Sequence, residues 1–145
     1  MKITRCTTFL VEGIKYNWTL ETLLRTSDFV SLHTPLNADS DHLIDARRLG
    51  LMKPTAALIN MARGRVVDEA ALVDALREGR LAGAGLDVFE HEPNVHPDLL
   101  GMPGVILLPH IGGGTTESRR QARLLCAENV ARVLRGLPAM TPVPA

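Results

Sequence analysis

The chain is short of aromatics and cysteine and has no net charge, and each shortage removes a class of explanation. One Trp, one Tyr and three Phe make up 3% of 145 residues, so the core must be aliphatic, as in α/β domains. Sixteen basic residues balance sixteen acidic ones, which argues against a nucleic-acid or membrane surface. Two cysteines, Cys6 and Cys126, lie far apart in sequence, and this predicts reduced thiols in a cytoplasmic protein. No long apolar run occurs near the start. The segment MKITRCTTFLVEG holds only the short Thr-Phe-Leu-Val stretch, too short for a signal peptide or a membrane span. Internal repeats and low-complexity segments are absent, and no G-x-G-x-x-G opens the chain.

What is present is an alternation of apolar runs and helical patterns, within a length that suits one domain. Residues 1–18 are left unassigned, with a candidate short strand at 13–18. TLETLLRT (19–26) reads as a short helix and DFVSLH (28–33) as a buried strand broken by Thr34-Pro35. Asp45 is placed to cap DARRLGLM, which Lys53-Pro54 ends. AALINM (56–61) is a strand. Asp68 caps DEAALVDALREGR, in which Leu72, Ala75 and Leu76 share one face and Gly79 suits the position just past the helix end. GAGLDVF (83–89) is the next strand, followed by a polar loop holding Pro93 and Pro97, and VILLP (105–109) is the last. Gly112-Gly113-Gly114 leads into a long helix over about 116–134, with Ala122, Leu125/Cys126, Val130 and Val133/Leu134 at helical spacing. Gly136-Leu-Pro138 stops it, and residues 139–145 read as an extended tail. The series predicts right-handed crossovers onto a mostly parallel sheet with flanking helices.

In such sheets ligands bind at the carboxyl ends of the strands. Three polar residues follow three strand-like runs: Arg63 after AALINM, Glu92 after AGLDVF and His110 after VILLP. Arg63 sits before a helix N-terminus, where a guanidinium fork suits a carboxylate; the plainer reading is a surface arginine in a βα loop. Arg65 reads as solvated. His110 ends a strand and faces a glycine loop, so its imidazole suits proton exchange with a carbonyl or hydroxyl oxygen. A lone histidine there is otherwise structural, unless a carboxylate orients it. Glu90 and Glu92 are both candidates for that carboxylate, and spacing does not choose between them. Asp87 is the only charge inside GAGLDVF, and a buried acid needs a ligand or a loop to bond with. Gly112–Gly114 before a helix either lets backbone approach a cofactor or is simply a flexible turn.

Three patterns mislead. Gly83-Ala-Gly85 enters a strand rather than leaving one, so it is not the dinucleotide fingerprint. Asn37, Asp39 and Asp41 imitate the start of a calcium loop, but His42 replaces its glycine and Arg48 its bidentate glutamate. His91, His96 and Asp98 lack metal-ligand spacing and read as a solvated loop, so no metal is expected.

Taken together, SDFVSLHTPLN, then LINMARGRVVDEAALVDALREGRLAGAGLDVFEHEP, then LLPHIGGGT resemble the NAD-binding domain of D-2-hydroxyacid dehydrogenases. Glyoxylate/hydroxypyruvate reductases are the nearest in appearance, and the match runs from about residue 19 to about 138. The resemblance implies a partial Rossmann-like α/β fold with NAD or NADP as cofactor and a small 2-keto or 2-hydroxy acid as substrate. It implies that Arg63 holds the substrate carboxylate, that His110 is the proton donor, and that Glu92 rather than Glu90 is the partner of His110. It implies cofactor contacts from Asp87 at the nicotinamide end and from Thr34, Met61, Ala62, Arg63, His110, Ile111, Gly112 and Gly113. Glu92 also argues against the formate dehydrogenase branch, which carries glutamine as the histidine's partner.

The family's glycine fingerprint and ribose-binding acid belong upstream of residue 13, and nothing in MKITRCTTFLVE matches either. The expectation is therefore an incomplete dinucleotide-binding domain, 19–138, lacking the first βαβ unit and a substrate-side domain. Uncovered sheet and helix faces would make it a homo-oligomer or dependent on a complementing segment. Alone it would bind dinucleotide weakly and turn over little. The competing reading is a non-catalytic NAD(H)-linked interaction module or an inactive fragment.

Overall fold

The computed structural model describes residues 19–142, which fall in two compact units divided between His110 and Ile111. In the first, helix α1 (Leu20–Thr26) starts at Thr19, whose hydroxyl accepts from the Thr22 amide, and it buries Leu23 and Leu24. Asp45 accepts from the Arg48 amide at 2.7 Å and opens α2 (Ala46–Leu49). Asp68 does the same from the Ala71 amide at 2.9 Å for α3 (Glu69–Arg77), which buries Leu72, Val73 and Ala75. Gly79 follows the cap residue Glu78 at φ +68°, a conformation in which any other residue would be strained.

Four strands, β1 (Phe29–Leu32), β2 (Ala57–Asn60), β3 (Gly83–Leu86) and β4 (Val105–Leu107), form one parallel sheet in the order β1-β2-β3-β4. Each strand is shorter than the apolar run that predicted it. The ladder nevertheless reaches one residue further, with the Asp87 amide bonded to the Asn60 carbonyl at 3.0 Å and the Leu108 amide to the Leu86 carbonyl at 2.8 Å.

Register explains the burial. Val30, Leu58, Ala84 and Val105 align across the sheet, as do Leu32, Asn60, Leu86 and Leu107, and the buried members of these rows join the helices' apolar residues in one core. The alternate rows carry Phe29, Ser31, Ile59, Gly85 and Ile106, and Ile106 is 67% exposed. The expectation that DFVSLH is buried is therefore half right. Successive side chains of β1 point to opposite faces, and only the face of Val30 and Leu32 is covered.

The second unit holds α4 (Thr116–Leu134), capped by Thr115, whose hydroxyl accepts from the Ser118 amide at 3.1 Å. Its helical spacing is as predicted, yet none of its residues is buried. The tail departs from a plain extension: Asn129 Oδ1 accepts from the Met140 amide at 2.7 Å and Arg132 Nε donates to the Pro138 carbonyl at 2.9 Å, drawing the segment back along the helix. The expected strand at 13–18 and residues 143–145 lie outside the described residues. Among the described residues, no helix is long and apolar enough to cross a membrane.

Candidate active site

Arg63 stands three residues beyond the end of β2, in a turn fastened by Asn60. The Asn60 side chain accepts from the Ala62 amide at 3.1 Å and donates to the Arg63 carbonyl at 3.0 Å. One guanidinium nitrogen of Arg63 returns to the Ala62 carbonyl at 2.7 Å, while the side chain as a whole is exposed. It lines an open cleft of about 540 Å³ with Thr34, Pro35, Met61, Ala62 and His33, at the carboxyl ends of β1 and β2. Gly64 next in line is packed so closely that a Cβ there would overlap the Phe89 carbonyl and the Glu90 nitrogen. Only glycine lets the Arg63 turn dock against the chain leaving β3.

That chain carries Glu92. Its carboxylate accepts from the Phe89 amide at 3.0 Å and meets His110 Nδ1 at 2.9 Å. The hydrogen bond from His110 holds the Glu92 carboxyl below the ordinary glutamate range, with the Phe89 amide and the positive charge of Arg63 pulling the same way against partial burial. An ionised carboxylate only accepts, so Nδ1 must carry a hydrogen, leaving Nε2 to hold or receive the exchangeable proton. His110 has φ +54°, in the left-handed region that non-glycine residues seldom occupy. A second hollow of about 510 Å³, walled largely by Phe89, Val95, Leu100, Leu107 and Leu108, borders Glu92 and His110.

Glu90 faces elsewhere. It pairs with His42 Nε2 at 2.8 Å and accepts from the Glu69 amide at the start of α3 at 3.2 Å. Asp87 is 3% exposed directly after β3. Thr34, Met61 and Ala62 lie in the Arg63 cleft. Ile111, Gly112 and Gly113 belong to the second unit, where Ser118 Oγ donates to the Gly113 carbonyl. Sequence reasoning passed over His33 and Asn60. His33 bonds Ser31 Oγ at 2.7 Å in the cleft wall, and the signal for Asn60 was a lone amide ending an apolar strand. The misleading patterns have local uses. Asn37 Oδ1 accepts from the Asp39 and Ser40 amides, Asp41 pairs with Arg65 at 2.7 Å, His96 Nδ1 accepts from the Asp98 amide, and Asp98 pairs with Arg77 at 2.8 Å.

Residues 2–112 match the family described as D-isomer specific 2-hydroxyacid dehydrogenase, NAD binding domain. Among curated relatives, the glyoxylate reductase of Thermococcus litoralis is 51% identical over 116 residues, covering 80% of this chain and 35% of the relative. Glyoxylate reductase 1 of Saccharomyces cerevisiae is 44% identical over 124 residues, covering 86% and 35%. The NADPH-dependent glyoxylate/hydroxypyruvate reductase of Sinorhizobium meliloti, solved with NADP and malonate, superposes with a TM-score of 0.83 at 39% identity over 94% of this chain and 44% of that one. The chain thus spans about a third of the length of the curated relatives it matches. On these grounds the chain belongs to the D-isomer specific 2-hydroxyacid dehydrogenases, within their NAD-binding domain.

Proposed function

We propose that this chain carries the acid/base half of a dehydrogenase that reduces a small 2-keto acid, of the glyoxylate or hydroxypyruvate type, to its D-2-hydroxy acid. The observation that carries the reading is the 2.9 Å bond between Glu92 and His110 within the electrostatic reach of Arg63. Arg63 binds the substrate carboxylate through its exposed guanidinium and draws electron density from the adjacent carbonyl. His110 gives its Nε2 proton to the carbonyl oxygen as charge develops there, and Glu92 fixes the ring and stabilises the imidazolium. In the oxidative direction His110 takes the hydroxyl proton back.

The residues around the cleft fit a dinucleotide's nicotinamide end. Thr34, Met61 and Ala62 line the cleft beside Arg63, and the Asp87 carboxylate lies at the end of the neighbouring strand β3. These residues of the first unit would hold the nicotinamide end of NAD or NADP. The bound cofactor supplies the hydride, and the chain supplies binding, orientation and the proton.

The test is a transplant. Residues 19–112 replace the matching stretch of the Thermococcus litoralis reductase, and NADH- and NADPH-dependent loss of glyoxylate is followed. Turnover is expected, with His110→Ala lowering kcat by about 10²–10⁴-fold and Arg63→Ala acting chiefly on kcat/KM. A folded, nucleotide-binding transplant without turnover, or one indifferent to His110→Ala, would sink the reading.

A further inference from the structure

We propose that Asn60 is the positioning residue of this site: its buried amide sets the turn that presents Arg63 to the substrate. The proposal rests on the reading of Arg63 as the carboxylate clamp. Asn60 is 1% exposed in a strand whose neighbours are apolar, and a primary amide in such a place is costly unless every function is bonded. Here the acceptor takes the Ala62 amide at 3.1 Å and the donor reaches the Arg63 carbonyl at 3.0 Å, so one side chain ties both ends of the two-residue turn. Its main-chain carbonyl separately takes the Asp87 amide at 3.0 Å, the first link of the chain that runs on to Glu92. Leucine would leave the Ala62 amide and the Arg63 carbonyl unpaired. Aspartate keeps the acceptor but sets a carboxylate oxygen against the Arg63 carbonyl. Only an amide matches one donor and one acceptor at this reach.

The experiment uses the full 145-residue chain and its Asn60→Asp and Asn60→Ala variants, with oxamate, an unreactive 2-keto acid isostere, as the probe in an NMR titration. Amide hydrogen exchange is read at Ala62 and at Asp87. The Asp87 amide bonds the Asn60 main-chain carbonyl and so reports whether β2 and β3 remain paired. Asn60→Ala is expected to speed exchange at Ala62 and leave Asp87 unchanged. Both variants are expected to weaken oxamate by about fivefold, the worth of one net hydrogen bond, and to do nothing further on an Arg63→Ala background. Faster Ala62 exchange with unchanged oxamate affinity would overturn the proposal, as would unfolding of both variants, which would make Asn60 a residue of the strand alone. Failure of the clamp reading looks different: the unsubstituted chain does not bind oxamate, or Arg63→Ala binds it equally well, and the proposal falls with that reading.

Discussion

Glu90 and Glu92 are two residues apart in the same loop after β3, yet they bond to different partners. Glu90 turns to His42 and the start of α3, where a carboxylate is favoured by the helix's exposed amides. Glu92 turns to His110. The Glu92 carboxyl is therefore expected to titrate below ordinary glutamate, and His110→Ala to move its midpoint upward, as followed by carboxyl NMR. Because the folded-state value is depressed, the pair stabilises the fold above the unfolded-state value, and that contribution is lost as pH falls through the folded one. The side chains of His110 and Glu92 are 48% and 36% exposed, so the effect on stability is small, at most about 1 kcal/mol. Glu69 behaves oppositely. Burial raises its carboxyl, and the negative charge of Glu90 adds to the rise against a bond from the Glu90 amide. The fold favours the protonated acid, so stability is fullest below the unfolded-state value and declines as pH rises through the folded one. Glu69→Gln should stabilise the chain at neutral pH in urea unfolding, with the gain vanishing in acid.

At the scale of elements, the caps were legible and the burial was not. Asp45, Asp68 and Gly79 act where their residue types predicted, because capping is decided within a turn of chain. The apolar spacings of α3 and α4 look alike in sequence, but α3 buries Leu72 completely whereas Leu134 on α4 is 83% exposed. Leu72→Ala should cost about 2–5 kcal/mol and Leu134→Ala less than about 0.5 kcal/mol, both measured by urea unfolding of the same chain. The meeting of the two site-bearing segments depends on Gly64. Gly64→Ala forces the Arg63 turn off the Phe89–Glu90 backbone and is expected to destabilise by about 1–3 kcal/mol or more. The same unfolding series checks it, and wild-type stability in that variant would refute the close approach.

For the molecule as a whole, one covered face of the sheet accounts for both its core and its exposed apolar surface. Ile106, Leu100 and Leu108 stand in water on the first unit, and such clusters promote association. Ile106→Thr with Leu100→Ser should lower the sedimentation-average mass at high concentration without lowering the unfolding midpoint appreciably. An unchanged mass would show that these side chains take no part in association. The family is shared with proteins about three times as long, and Arg63, Glu92 and His110 lie in a single compact unit of this chain.

The sequence by itself determined the alternation of strands and helices, the parallel sheet, the capping residues, and the family through three motif blocks in order. Each of these is a matter of local spacing, which the chain carries without reference to distant parts. Tertiary structure alone decided what lies across space. It set which sheet face is covered, sent Glu90 to His42, and brought Glu92, the partner that the family resemblance implied, to His110. It also made Gly64 indispensable for bringing the Arg63 turn against Phe89. Those outcomes depend on register and close packing between segments 18 or more residues apart, and no periodicity within one segment encodes them.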